Sequence, residues 1–346
     1  MHLNELRKDY LLDRWVVIAT QRKRRPTDFV RSKVSSRKKR AICPFCPGNE
    51  NMTPPAILVY VKKNGKIIKD KDSNGLRHSR WLVRCIPNLY PAFTWFPEEK
   101  MEIKRKDIAK FKSLPAIGHH EVIIESPNHY EHPSVANVNQ LKLVIEAYID
   151  RFKDLSSKKY VTYVSIFRNH GSEAGASLSH AHTQIITTPI MPRIVREELE
   201  KAKAYHNKTG KCIFCNIIEK EEKCNRLIWK NENFIVFAPW ASTHPFEFWI
   251  FPKRHQPTIL DMNKKEIRDL AITVRKCLGG LKNLLNDPPY NFGFHMVPDV
   301  SFHWHIEVYP KLSIWAGFEK STGVFINIFS PEEAASSLRE ALKKEN

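Results

Sequence analysis

Two stretches of this chain carry the same residue types in the same order. The first half holds Cys43-Pro-Phe-Cys46, then Glu121 to His129, then His180-Ala-His182-Thr-Gln184. The second half holds Cys212-Ile-Phe-Cys215, then Glu247 to His255, then His303-Trp-His305-Ile-Glu307. Eight residues separate Glu121 from His129 and Glu247 from His255; His129 to His180 is 51 residues and His255 to His303 is 48. An internal repeat of this length means one structural unit used twice. The expected organisation is therefore two tandem modules, residues 1–195 and 196–346, joined near residues 190–210.

Each copy offers two cysteines on one turn and two distant histidines. Tetrahedral zinc takes four nitrogen or sulfur ligands, and a C-x-x-C knuckle supplies two of them. One such pair alone is weak evidence; two with histidines at matched spacing are much stronger. The expected ligand sets are Cys43, Cys46, His129 and His180 for one zinc, and Cys212, Cys215, His255 and His303 for the other. With four protein ligands each, both sites would be structural. The remaining cysteines, Cys85, Cys224 and Cys277, are scattered and read as packing residues.

Short apolar runs at Trp15 to Ala19, Ile57 to Val61, Val122 to Ile124, Val161 to Phe167, Phe234 to Phe237 and Phe248 to Phe251 read as strands. Val138, Leu141, Val144, Ile145, Tyr148, Phe152 and Leu155 recur at helical spacing and predict a helix. A second helix is expected from Asn263 to Leu285, and a last one from Ser330, with Pro331 at its first position and Glu333 completing a capping box. Interspersed strands and helices fit α+β better than a regular βαβ array.

His182 is the histidine the zinc sites leave over. On a strand, His180, His182 and Gln184 point to one face. If His180 binds zinc, His182 stands one step along a metal-anchored strand. Upstream, Asn169-His-Gly171-Ser-Glu-Ala-Gly175-Ala-Ser177-Leu-Ser179 is rich in small residues that let backbone N–H groups approach a phosphate. A pre-oriented neutral imidazole beside such a loop suits in-line attack on phosphorus, giving a covalent nucleotidyl-histidine. An amide such as Gln184 can bind a phosphoryl oxygen but cannot act as a general acid. The leaving group must then need no proton, as with a sugar phosphate, which favours transfer over hydrolysis. An isolated H-x-H pair would read as polar residues inside a zinc module; the loop and the repeat weigh against that.

The 346 residues carry a net charge of +19, which favours anionic partners, either nucleic acid or phosphorylated metabolites. A zinc-stabilised nucleic-acid-binding protein is thus the alternative from another class. Its stacking aromatics should interleave with basic residues, whereas here they lie mostly in strand-like apolar runs. No run approaches the roughly 18 apolar residues of a membrane helix, and the first 20 residues mix charges throughout. The expected location is cytoplasmic.

These residues, with Arg7-Lys-Asp9, Arg14-Trp15, Arg22 to Pro26, Val83 to Asn88, Gly317-Phe318-Glu319, Thr322-Gly323 and Ile326-Asn327, resemble the galactose-1-phosphate uridylyltransferase family of the histidine triad superfamily over nearly the whole chain. The resemblance implies two histidine-triad-like modules, each an antiparallel sheet with flanking helices, and a homodimer. It implies a UDP-glucose–hexose-1-phosphate uridylyltransferase of galactose metabolism, working by ping-pong through a uridylyl-histidine at His182. Its partners would be a nucleotide sugar and a hexose 1-phosphate. Asn169, Ser177 and Gln184 would contact phosphates, and Asn88 and Tyr90 would line the nucleotide pocket. Arg22 and Arg25 would reach phosphate, and Phe318 and Glu319 would face the sugar.

The sequence departs from that pattern in places. Ala181 and Thr183 replace the proline and glycine of the familiar bacterial motif, and Ala176 to Ser179 resembles the ADP-glucose phosphorylase branch. Adenylyl transfer is therefore the alternative reading. Some family members use a glutamate near Glu198, with histidines near His295 and His305, as a further metal site. Here Glu198 is expected on a helix surface. Glu307 stands where Gln184 would, so the second half is expected to be a non-catalytic copy.

Overall fold

The computed structural model describes residues 4–20, 42–73, 75–95, 106–108 and 111–343. In chain order, the first half contributes β1 (Glu5–Lys8), β2 (Trp15–Ile18), β3 (Leu58–Lys63), β4 (Lys66–Asp70), β5 (Trp81–Pro87), β6 (Lys106–Ile108), β7 (Phe111–Ser113), β8 (His120–Ile124), α1 (Val138–Ser156), β9 (Tyr163–His170) and β10 (His182–Thr188). Then follow α2 (Arg193–Thr209), α3 (Ile213–Glu221), β11 (Leu227–Lys230), β12 (Phe234–Phe237), β13 (Phe248–Pro252), α4 (Lys264–Leu285), β14 (Tyr290–His295), β15 (His305–Pro310), α5 (Gly317–Thr322), β16 (Phe325–Asn327) and α6 (Pro331–Lys343).

The repeat is plain in the topology. An eleven-stranded sheet, counted among the described residues, runs β11-β12-β13-β15-β14-β9-β10-β8-β5-β3-β4. Read outward from its middle, β9-β10-β8-β5-β3 in one half is matched by β14-β15-β13-β12-β11 in the other. The halves join along the antiparallel pair β9–β14, where Asn169 faces Asn291 and His170 faces Tyr290. The α+β class and the duplicated layout expected from the sequence both hold.

The apolar periodicity of α1 places Leu141, Val144, Ile145, Tyr148, Phe152 and Leu155 in the core. Asn137 caps this helix, accepting from the Asn139 N–H. α4 begins at the expected place, with Asn263 as its N-cap and Glu266 closing a capping box. One buried cluster draws on both halves, from Tyr60 and Val83 through Tyr148 to Phe292 and Leu342. Gly280, inside α4, has a packing role: a Cβ there would lie 2.5 Å from Leu342 Cδ2, so glycine lets α6 lie close.

The chain's beginning packs on its far half. β1 and β2 pair with each other, and β2 runs parallel to β16. Arg7 bonds to Glu332 at 3.0 Å, and the Tyr10 hydroxyl donates to Glu221 at 2.5 Å. No helix among the described residues is long and apolar enough to cross a membrane.

Candidate active site

Strand β10 positions His182. It lies between β8 and β9, with His182 opposite Ile124 and Gln184 opposite Val122 and Phe167. Being interior, its backbone is held on both edges. A buried charge network fixes it further. Glu125 accepts from Arg168, from Thr183 Oγ1 and from the Tyr148 hydroxyl at 3.1 Å. Arg168 also donates to the His182 carbonyl at 3.1 Å. Both members of the Arg168–Glu125 pair are buried. Removing one partner of such a pair strands the other charge, at a cost of about 3–5 kcal/mol. Glu125→Ala should therefore lower the unfolding free energy by about that much, read from denaturant melts.

His182 Nδ1 lies 2.7 Å from the His180 carbonyl oxygen, which can only accept. Nδ1 therefore carries the proton and Nε2 keeps its lone pair. Burial pushes the His182 pKa below the ordinary histidine value, which holds the ring neutral and nucleophilic near neutrality. The ring is 6% exposed and borders a cavity of about 310 Å³. Phe45, Asn88, Tyr90, Ser177 and Gln184 line that cavity too. His182, Asn88, Tyr90, Ser177 and Gln184, expected from sequence to act together, thus surround one space. Tyr90, 84% exposed, stands at an open side.

A second recess, of about 530 Å³, borders the first along Ser177 and Leu178 and holds Asn169, His170 and the Gly171–Ser179 loop. The second half of the chain orients Asn169: Asn291 Nδ2 donates to Asn169 Oδ1 and to the Ala174 carbonyl, both at 2.8 Å. That turns the Asn169 amide nitrogen elsewhere. Gly171, at φ +82°, opens the loop, and a Cβ there would lie 2.9 Å from Pro289 Cβ. Gly171→Ala combines left-handed strain with a clash against a rigid ring, about 2–3 kcal/mol in all. Thermal melts should show the loss, and activity should fall with the displaced loop.

The knuckle beside the cavity fits a metal. Cys46 Sγ is 3.3 Å from His129 Nδ1, and Cys43 and Cys46 Sγ are 3.7 and 3.6 Å from His180 Nδ1. Tetrahedral Zn–S and Zn–N bonds would put sulfur and nitrogen about 3.6 Å apart. His180 Nε2 points at the Ser126 carbonyl, 2.8 Å away, which leaves Nδ1 free of its proton as a ligand must be. Cys212, Cys215, His255 and His303 gather in the same way, with Cys215 Sγ 3.6 and 3.5 Å from the two Nδ1 atoms. His255 Nε2 faces the Val300 carbonyl at 2.9 Å. Either group can hold a metal ion.

The duplication extends to the rings between the cysteines. Phe45 meets His182 and Phe214 meets His305, each at 5.5 Å between centroids. His305 differs in its surroundings: it is 0% exposed and packed among Phe214, Trp249, Phe251 and Phe302.

One expectation is overturned there. Glu198 is not on a helix surface; it is 1% exposed and bonds to His295 at 2.9 Å. The inward face of α2 carries Val195, Glu198 and Ala202, so a carboxylate occupies a core position. Glu198, His295, His305 and Glu307 form a third group able to hold a metal. Burial pushes Glu307 up to about 7. Burial alone would lower His295, but the Glu198 and Glu307 carboxylates outweigh it and push His295 up to about 9.

Some expected residues are not brought to the cavity. Phe318 and Glu319, on α5, line neither recess: Glu319 caps its own helix by accepting from the Ala316 N–H at 3.0 Å, and Phe318 is 48% exposed. Their element packs beside β16, on the second half. Arg22 and Arg25 lie outside the described residues. The sequence reading missed Phe45 as a wall of the cavity, although its place between two ligand cysteines could have signalled it. It also missed His120, which touches both Asn88 and Gln184.

A family model described as a domain of unknown function (DUF4921) matches residues 98–346. An ADP-glucose phosphorylase of Arabidopsis thaliana is 33% identical, over 97% of this chain and 92% of the relative. The chain belongs to the DUF4921 family of galactose-1-phosphate uridylyltransferase-like proteins. Within this family setting, the galactose-1-phosphate uridylyltransferase of Thermotoga maritima is 28% identical over 97% of this chain and 98% of its own length. The crystal structure of the Arabidopsis ADP-glucose phosphorylase with bound ADP-glucose superposes with a TM-score of 0.79 at 30% identity, covering 98% of this chain and 99% of that one. The residues around His182 thus sit in the fold of a family of nucleotide-transferring enzymes.

Proposed function

We propose that this protein is a nucleotidyltransferase that passes a nucleotidyl group through His182. The observation carrying this reading is the buried His182 ring, its Nδ1 proton fixed on the His180 carbonyl, with Nε2 unprotonated in a ring that borders a cavity shared with Gln184, Asn88 and Ser177.

The principal reading is a UDP-glucose–hexose-1-phosphate uridylyltransferase of galactose metabolism. His182 Nε2 attacks the α-phosphorus of UDP-glucose. The bond from that phosphorus to the bridging oxygen breaks, and glucose 1-phosphate leaves without needing a proton. The uridylyl imidazole then carries a positive charge, stabilised by the His180 carbonyl at Nδ1. A phosphate oxygen of the second hexose 1-phosphate attacks the same phosphorus, the P–N bond breaks, and His182 returns to its neutral form. The Gln184 amide, Asn169 and Ser177 donate to phosphate oxygens. Asn88, Tyr90 and Phe45 hold the nucleoside.

A second reading keeps the same histidine but moves an adenylyl group from ADP-glucose to phosphate. It is favoured by the 33% identity with an ADP-glucose phosphorylase and by Ala176 to Ser179. Product analysis separates the two. UDP-galactose from UDP-glucose and galactose 1-phosphate supports the first; ADP from ADP-glucose and phosphate supports the second. Turnover of neither pair would sink both.

The two Cys/His groups would hold zinc, with all four positions filled by protein. There the ion would secure the strand carrying His182 and the knuckle carrying Phe45. We also propose residues 1–195 as the catalytic module and 196–346 as its non-catalytic copy, in keeping with the burial of His305. A homodimer is proposed on the family resemblance alone and a cytoplasmic location on the sequence features given above; sedimentation equilibrium tests the dimer.

A further inference from the structure

We infer that His120 is a positioning residue that holds Gln184 in the orientation nucleotidyl transfer requires. The inference rests on the reading of Gln184 as a donor to the transferred phosphoryl group. Strand register places the two side chains together. Across the β8–β10 pair, His120 stands opposite Ile186 and Val122 opposite Gln184. His120 and Gln184 are therefore diagonal neighbours on one face of the sheet, within reach of long side chains.

The hydrogen bonds then fix every proton. The Ala92 backbone N–H donates to His120 Nδ1 at 3.1 Å. A ring nitrogen that accepts carries no proton, so the imidazole is the neutral tautomer with its proton on Nε2. The Gln184 Oε1 atom lies 2.8 Å from that nitrogen and accepts the proton's hydrogen bond. Asn88 Nδ2 lies 3.0 Å from the same nitrogen, but it is a donor, because Asn88 Oδ1 already accepts from the Tyr90 N–H at 2.9 Å. A protonated ring nitrogen cannot accept it. Asn88's amide protons are thus available to the cavity that Asn88 lines.

The consequence falls on Gln184. Its oxygen is occupied by His120, so the amide presents N–H groups, and not a carbonyl oxygen, to the space beside His182. A flipped amide would aim its oxygen at anionic phosphate and would also face the protonated Nε2 with an NH₂ group. The Ala92 N–H thereby selects, through His120, which end of Gln184 meets the substrate. No proton is transferred along this chain; its role is orientation. His120 also accepts the Asn88 backbone N–H with its carbonyl at 2.8 Å, so the same residue anchors the main chain beneath Asn88.

A double-mutant cycle on single-turnover nucleotidylation tests this, using whichever of UDP-glucose or ADP-glucose charges the wild-type protein. His120→Ala and Gln184→Ala are each expected to slow adduct formation by about tenfold to a hundredfold, the worth of a hydrogen bond to a charged group. The double variant should be no slower than Gln184→Ala alone. Donor affinity should change little, and His120→Gln, which returns an N–H near the Nε2 position, should recover part of the rate. Slowing by His120→Ala of the same size in the Gln184→Ala background would overturn the inference while leaving Gln184 as a phosphate contact. A wild-type rate for Gln184→Ala would overturn the reading of Gln184 and the inference with it.

Discussion

His182→Ala is expected to abolish nucleotidyl transfer while leaving the fold and any bound metal in place. Removing a covalent nucleophile typically costs on the order of 10⁴-fold or more, because no neighbouring group can take over the bond-forming step. Here the substitution touches little else. The backbone of β10 stays clamped by β8, β9 and the Arg168–Glu125 pair. The His182 side chain meets Phe45 edge-on but is not within the Cys43, Cys46, His129, His180 group. The stability cost should stay near about 1 kcal/mol, the middle of the range for single substitutions. Steady-state exchange assays and metal analysis check both halves of the prediction. Substantial residual exchange would remove His182 from the mechanism.

The second large effect belongs to the knuckle. Cys43→Ser removes one thiolate of the first group, and the variant should lose its metal and much of its stability. Structural zinc contributes apparent free energies of about 10–16 kcal/mol in small peptides. In a chain with a core of its own the loss should be smaller but well above the usual effect of a surface change, at least about 3 kcal/mol in denaturant melts. Because Pro44 and Phe45 line the cavity beside His182, KM for the donor should rise as well. Cys212→Ser makes the contrast. It should lose the second metal and destabilise the protein, yet keep transfer in the fraction that stays folded, since none of its group lines the cavity of His182.

The parts of this architecture legible in the sequence were those with strict spacing. Metal ligands tolerate little displacement, so the doubled Cys and His pattern foretold both clusters residue by residue. The apolar stripes of α1 and α4 and the run Phe234 to Phe237 gave their elements almost to the residue. Two strands were harder. β4 is Lys-Ile-Ile-Lys-Asp and mostly exposed, so it has no buried face to leave an alternating pattern. β14 does alternate, with Tyr290, Phe292 and Phe294 buried, but Gly293 within it reads as an interruption. α2 buries a glutamate where a leucine would have announced a helix face, and Glu198 was misplaced for that reason. The pairing of β9 with β14, which fuses the halves into one sheet, leaves no local signature because it depends on strands more than a hundred residues apart. His120 was invisible for a related reason: its meaning lies in a diagonal across two strands and in one backbone N–H.

The central claim is the covalent nucleotidyl-histidine, and intact-protein mass spectrometry tests it most directly. The protein is mixed separately with UDP-glucose and ADP-glucose at neutral to mildly alkaline pH, because P–N bonds to histidine are acid-labile. One of the two should add a single nucleotidyl group, mapped by peptide fragmentation to His182 and discharged by galactose 1-phosphate or by phosphate. Catalytic turnover without an adduct, or an adduct on any other residue, would contradict the account.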